Sequence, residues 1–206
     1  ARGNIRKLYD MIEHIGKIAA FQQTCWLTFI VTRARVRGEG GGRGEGALPQ
    51  AQRDGAVVVR GLFADWIDEI AQGIEQNMAE PGPYAAENLQ DGERGRIFDD
   101  SCNWTRISPF EQVIRRSQAG AVAAQLMGSK QAQFFHDHVL VKDPGTAKAT
   151  PWHQDSPYYF VEGEQTVSFW TTVEPVTNAT LRCVAGSHRW PKPVLPTRWL
   201  KEDKFY

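Results

Sequence analysis

The feature that most constrains this chain is a change of hydrophobic period at Gly128. Ahead of it, apolar side chains recur every three or four residues. Phe63, Trp66, Ile67, Ile70, Ile74 and Met78 form one such run, stopped by Pro81-Gly82-Pro83, and residues 109–127 form one or two more. That period brings side chains to one face of an α-helix. Behind Gly128 the pattern alternates, predicting strands over 133–142, 166–173 and 180–185. A β-branched stretch, Ala56 to Val59, reads as one earlier strand closed by Gly61. Helices first and strands later exclude a doubly wound parallel sheet, whose two element types interleave. The expectation is an α+β protein with a mainly β core, a jelly roll or sandwich buttressed by N-terminal helices.

The first fifty residues have a different texture. Ile5, Leu8, Ile12, Ile15 and Ala19 step at helical spacing, and a short apolar run follows from Cys25 to Val31. Residues 33–46 then read RARVRGEGGGRGEG, with almost no apolar anchors. Such a stretch buries too little surface to offset the entropy of ordering it. The division expected is residues 1–32, a helix and apolar segment of unknown role; 33–52, a flexible linker; and 53–206, the main domain.

Charge and cysteine usage narrow the partners. Among 206 residues, Lys plus Arg and Asp plus Glu number 24 each, so no net field points to nucleic acid or an anionic membrane. Cys25, Cys102 and Cys183 are odd in number and lack the spacing of a disulfide framework or a structural zinc site. Free thiols suit a reducing compartment, and no apolar run is long enough to span a bilayer, so a cytoplasmic location is expected.

The chemistry concentrates in Pro151-Trp152-His153-Gln154-Asp155. Side chains two apart on an extended segment face one way, with Cα atoms about 6.5 Å apart. One cation can therefore take a nitrogen and an oxygen from His153 and Asp155, a donor pair that suits iron, manganese or zinc. Trp152 before the pair and Tyr158-Tyr159-Phe160 after it would wall the site with aromatics. His136, His138 and Lys142 share one face of a strand, which is costly in a core unless that face lines a cavity. It could equally be the solvent face of an edge strand.

The run FFHDHVLVKDPGTAKATPWHQDSPYYFVEGEQTVSFW, followed by TLRCVAGSHRWP, resembles the phytanoyl-CoA dioxygenase family of iron and 2-oxoglutarate-dependent dioxygenases. The resemblance covers roughly residues 53–206 and rests on a Lys-x-Pro-Gly turn, Trp-His-x-Asp and a Gly-Ser-His element. It implies a double-stranded β-helix core of the cupin-like type. It also implies Fe(II) held by His153 and Asp155, 2-oxoglutarate and O2 as cosubstrates, and hydroxylation of a small molecule or acyl substrate with release of succinate and CO2. By the same resemblance, Leu140 and Ser168 lie where 2-oxoglutarate binds. His136 and Tyr159 face substrate, with His138 and Trp152 beside them. Leu140 departs from the family pattern, because its side chain cannot hydrogen-bond. A third ligand histidine and an arginine for the distal carboxylate belong downstream of Gly186-Ser187-His188. Tyr206 ends the sequence before either, so the expected barrel is incomplete. The alternative reading is an inactive fragment or a non-enzymatic jelly-roll binding module. A cupin-type site of His136, His138 and His153 fails on spacing, since no Glu follows His138 closely.

Overall fold

The computed structural model describes residues 48–88, 95–143, 146, 150–159, 165–176, 180–192 and 194, together with the backbone of 22–30. The expected helix over the first twenty residues, and residues 33–47 of the expected linker, lie outside these. Residues 48–52 of that linker belong to a helix, α1 (Leu48–Asp54).

The helical run from Phe63 opens with a single 3-10 turn, Ala64–Trp66, and continues as α2 (Ile67–Ala79). Ile70 and Ile74 are fully buried on its inner face. After the short strand β2 (Ala86–Glu87) and β3 (Ile97–Ser101) come α3 (Ser108–Arg116) and α4 (Ala119–Leu126). Pro109 near the start of α3 costs no hydrogen bond, because the first N–H groups of a helix have no partner within it. Helix α2 packs on α3 at Gly73, where an added Cβ would come within 2.3 Å of the Phe110 ring. Strands β4 (Gln133–Lys142) and β5 (Thr166–Thr172) match the alternating stretches of the sequence.

Two expected strands do not form. Residues 56–59 pair with nothing in a ladder, and 180–184 are irregular, leading into a 3-10 turn at Ser187–Arg189. A β-branched run at 56–59 and strand-like alternation at 180–185 were local signals, and neither segment has a ladder partner among the described residues. Gly186, left-handed at φ 79°, donates its N–H to the Asp54 carbonyl, while Arg189 and His188 reach the Gln52 carbonyl at 2.9 and 3.2 Å. The Gly-Ser-His element thus caps the C-terminal carbonyls of α1, which a helix cannot satisfy internally.

One five-stranded sheet contains every strand described, in the order β2-β3-β4-β1-β5 with antiparallel pairing throughout. The strand β1 (Gln22–Ile30) comes from the apolar run near the N-terminus and lies inside the sheet, between β4 and β5. One face of the sheet carries the core. Val139 and Val141 on β4 and Phe169 on β5 meet Ile70, Ile74, Ile107, Phe110 and Val113 there. His136, His138, Leu140 and Lys142 alternate onto the other face and are half-buried. The architecture is therefore mixed helix and antiparallel sheet, with helices on one side and the polar strand positions on the other.

Candidate active site

Strand β4 carries a bulge. Thr28 of β1 pairs with His136, yet the next residue, Phe29, pairs with Phe134, so the register shifts at Phe135. A bulge re-aims side chains that strict alternation would send to opposite faces. Phe135 and His136, although adjacent, both line one cleft, with Cys102, Tyr158 and Tyr159 completing its wall; its volume is about 230 Å³. The rings interlock edge to face: Phe135 to Tyr159 at 5.3 Å and His136 to Tyr159 at 5.4 Å between centroids. The Tyr159 hydroxyl lies 3.3 Å from Ser168 Oγ. Burial, reinforced by nearby His138, lowers the pKa of His136 to about 4, so its ring is neutral at pH 7. Its Nδ1 is buried without a hydrogen-bond partner among the described residues.

Cys102 reaches this cleft through Asp137, which faces the opposite side of the sheet. The Asp137 carboxylate accepts hydrogen bonds from the Asn103 and Trp104 amides at 3.0 and 2.9 Å, and its carbonyl accepts from the Cys102 amide at 3.0 Å. The turn so held places Cys102 in the left-handed region, at φ 63°. Burial and the charges of Asp137 and Asp100 raise the Cys102 pKa, keeping the group a thiol. A second buried carboxylate, Asp100, ties α2 to the same turn region. It accepts from Asn77 Nδ2 and from the Gly82 amide, both at 2.7 Å.

Beside the cleft lies the pair singled out by the sequence. Residues 153–155 form no strand, and Asp155 is already in helical conformation at the start of the 3-10 turn Ser156–Tyr158. Gln154 decides the geometry. Its side chain donates to the Ser187 carbonyl and accepts from the Val194 amide, both at 2.9 Å, and its own amide donates to the Val194 carbonyl. With Gln154 gripped by that segment, His153 and Asp155 meet each other, Nε2 to Oδ1, at 3.1 Å. The side chains keep 21% and 36% of their surface exposed, so the pair is neither sealed nor in bulk water. His153 Nδ1 lies 2.8 Å from the Pro151 carbonyl. A carbonyl only accepts, so Nδ1 carries a proton, and Nε2 either carries the second proton of an imidazolium and donates it to Asp155 or turns its lone pair to a cation. Two electron-rich atoms at this distance need a proton or a cation between them. Burial alone would lower the His153 pKa; the hydrogen bonds to Asp155 and Pro151, with the Asp155 charge, outweigh it and raise the pKa.

The same geometry fits a metal. Two ligand atoms about 2.1 Å from one ion and at right angles to each other lie roughly 3 Å apart. A backbone carbonyl on the remote imidazole nitrogen is also the usual way a ligand histidine is oriented. Among the described residues, no set of three His, Cys, Asp or Glu side chains gathers to hold an ion. His188 is committed to the Gln52 carbonyl, and His138 lies 3.7 Å from Asp99. Tyr158 joins pair and cleft, its ring 6.1 Å from that of His153.

Of the residues marked by the sequence, His136, Tyr159 and Ser168 come together, with His153 and Asp155 alongside. Leu140 stands four residues from His136, roughly 13 Å along the strand, and does not line the cleft. Trp152 is half-buried next to the pair. Sequence reasoning missed Cys102 and Phe135, which enter only through the Asp137 clamp and the bulge. It also missed Cys183, whose thiol feels the Asp155 charge.

A helix-and-antiparallel-sheet protein with a histidine–carboxylate pair beside an aromatic cleft is the class these observations define. The family model for phytanoyl-CoA dioxygenase (PhyH) matches residues 51–206, and the chain belongs to that family. Members use Fe(II) and 2-oxoglutarate. No curated protein and no solved structure matches the chain. No helix among the described residues is long and apolar enough to cross a membrane.

Proposed function

We propose that the chain is an Fe(II)/2-oxoglutarate-dependent oxygenase that hydroxylates a C–H bond of a small-molecule or acyl substrate, with His153 and Asp155 as metal ligands. The observation that carries the reading is the 3.1 Å approach of His153 Nε2 to Asp155 Oδ1, with Nδ1 held on the Pro151 carbonyl. When bound, iron with 2-oxoglutarate and O2 supplies the oxidising power, and succinate and CO2 leave as the cosubstrate's products. The chain's own residues do the positioning. Gln154 fixes the backbone between the two ligands, and Tyr158 and Tyr159 line an apolar wall beside them. The neutral His136 lines that wall without bringing a charge to it. Ser168 and Tyr159 offer hydroxyls at the rim, where a carboxylate cosubstrate could be held. The double-stranded β-helix expected from the resemblance is the frame we propose around this site, and the cytoplasm its compartment.

The test is anaerobic loading with Fe(II), then O2 and 2-oxoglutarate, with metal content and succinate both measured. About one iron per chain and steady succinate release are expected. His153→Gln should lower both by at least roughly a hundredfold, since losing even a residue that only orients a ligand costs about 10–100-fold. An intact chain that binds no iron, or a His153→Gln variant that releases succinate at the wild-type rate, defeats the reading. The gathering of only two ligand side chains among the described residues favours a second reading, a metal-free binding module. Under it, His153→Ala would leave small-molecule binding untouched.

A further inference from the structure

The strand β1 lies wholly outside the family match, which begins at residue 51, yet it occupies an interior place in the sheet that bears the site. Its register is specific. Thr28 pairs with His136 on β4 and with Ser168 on β5, so the three form one continuous rung. Directly paired residues of antiparallel strands share a sheet face, which puts position 28 on the face of His136 and Ser168. With strands about 4.8 Å apart, β4 and β5 stand nearly 10 Å from each other, a gap that only β1 fills. Tyr159 spans this rung, its ring against His136 on one side and its hydroxyl at Ser168 on the other. The bulge that brings Phe135 into the cleft begins at the same point of β1, between Thr28 and Phe29.

We propose that the N-terminal segment is part of the active site, β1 forming the middle of its floor with position 28 on the rung between His136 and Ser168. The cleft is then built by two separate pieces of chain, and the shape of its floor is set by a segment the rest of the family domain does not contain. The placement of β1 is independent of the oxygenase reading; the effect on cosubstrate binding rests on it.

Two measurements on the full chain decide the matter. The first is cross-linking of a Thr28→Cys/Ser168→Cys double variant, read by mass mapping after mild oxidation. Opposite Cα atoms in such a pair lie about 4.5–5.5 Å apart, within the range a disulfide bridges. The 28–168 link should form roughly tenfold faster than the 27–168 link of Leu27→Cys/Ser168→Cys, whose residues are out of register. Equal rates overturn the proposal. The second is calorimetry with Mn(II) and 2-oxoglutarate as probe. Thr28→Trp should weaken cosubstrate binding by roughly tenfold, about 1.4 kcal/mol, while Gln22→Trp, at the far end of the strand opposite Lys142, should not. If Thr28→Trp does not fold, Thr28→Cys with Cys102→Ser and Cys183→Ser, alkylated after folding, brings the same bulk and is compared with the same background alkylated without Thr28→Cys. Unchanged binding with bulk at position 28 also overturns the proposal. If the wild type binds neither probe, the oxygenase reading falls, and the cross-link alone decides the place of β1.

Discussion

Single side chains in this protein act through what they hold as much as through what they touch. Asp137 is buried and donates nothing to the cleft, yet its carboxylate satisfies the Asn103 and Trp104 amides and sets the turn that presents Cys102. Asp137→Ala should cost about 3 kcal/mol, because both amides lose their acceptor inside the protein; urea denaturation measures it. Asp137→Asn, which keeps one acceptor oxygen, should cost less. His136 supplies a pH test. Its folded pKa of about 4 lies below the ordinary 6.5, so the native state resists protonation more than the unfolded chain does. The stability this contributes is fully present above pH 6.5 and is lost as the pH falls toward 4. His136→Phe should therefore show a smaller loss of stability between pH 6.5 and 4 than the wild type. His153 works in the opposite sense: its raised pKa lends stability below 6.5 that fades as the pH rises through the folded value. An unchanged acid profile in His136→Phe would mean the ring is not held neutral by burial.

At the scale of elements, contacts between helices and turns keep the site in place. Gly73 of α2 exists where Phe110 of α3 presses closest. In an isolated helix Gly→Ala is favourable by up to about 1 kcal/mol. Here the added methyl would meet the ring, so Gly73→Ala should destabilise the protein by about 1–3 kcal/mol, seen as a lower melting temperature. Gln154 has the same kind of role at the pair. Its two hydrogen bonds to the segment around Ser187 and Val194 orient the backbone between His153 and Asp155. Gln154→Ala should weaken metal binding roughly tenfold with little change in fold, as measured by metal titration against circular dichroism. The turn at Gly186 to Arg189 clasps the end of α1, so the Gly-Ser-His element is a helix cap and not a strand end.

Across the whole molecule, the sheet joins regions far apart in sequence. Strands β4 and β5 are separated by a central place that β1 fills, and the family domain beginning at residue 51 meets the N-terminal segment there. An interior strand has its backbone groups bonded on both sides and exchanges its amide hydrogens only when the sheet opens. Amides of 24–28 should exchange as slowly as those of 137–141 on β4, which is also paired on both sides, and hydrogen exchange with mass detection checks this. Faster exchange across 24–28 alone would place that segment outside the sheet. The expected division into an N-terminal piece of unknown role and a main domain thus meets a strand contributed from the first part to the second.

Local pattern alone was enough for α2, α3, α4, β4 and β5, because burial on one face imposes a period of 3.6 or 2 that short-range composition displays. The His153–Asp155 pair was marked by two donors of the right chemistry two residues apart, but an extended segment was expected there, and their 3.1 Å approach depends on Gln154 bonding to Ser187 and Val194 far along the chain. The apolar run from Cys25 to Val31 showed that it had to be buried but not against what, since a strand's neighbours are chosen by pairing at long range. Residues 56–59, β-branched, and 180–185, alternating, read like strands and have no ladder partner among the described residues, which no local signal reports. The cleft wall was equally hidden, because Cys102 arrives through a carboxylate on another strand and Phe135 through a register shift. Residue spacing carries information about faces; which faces meet is decided only when the sheet closes around its central strand.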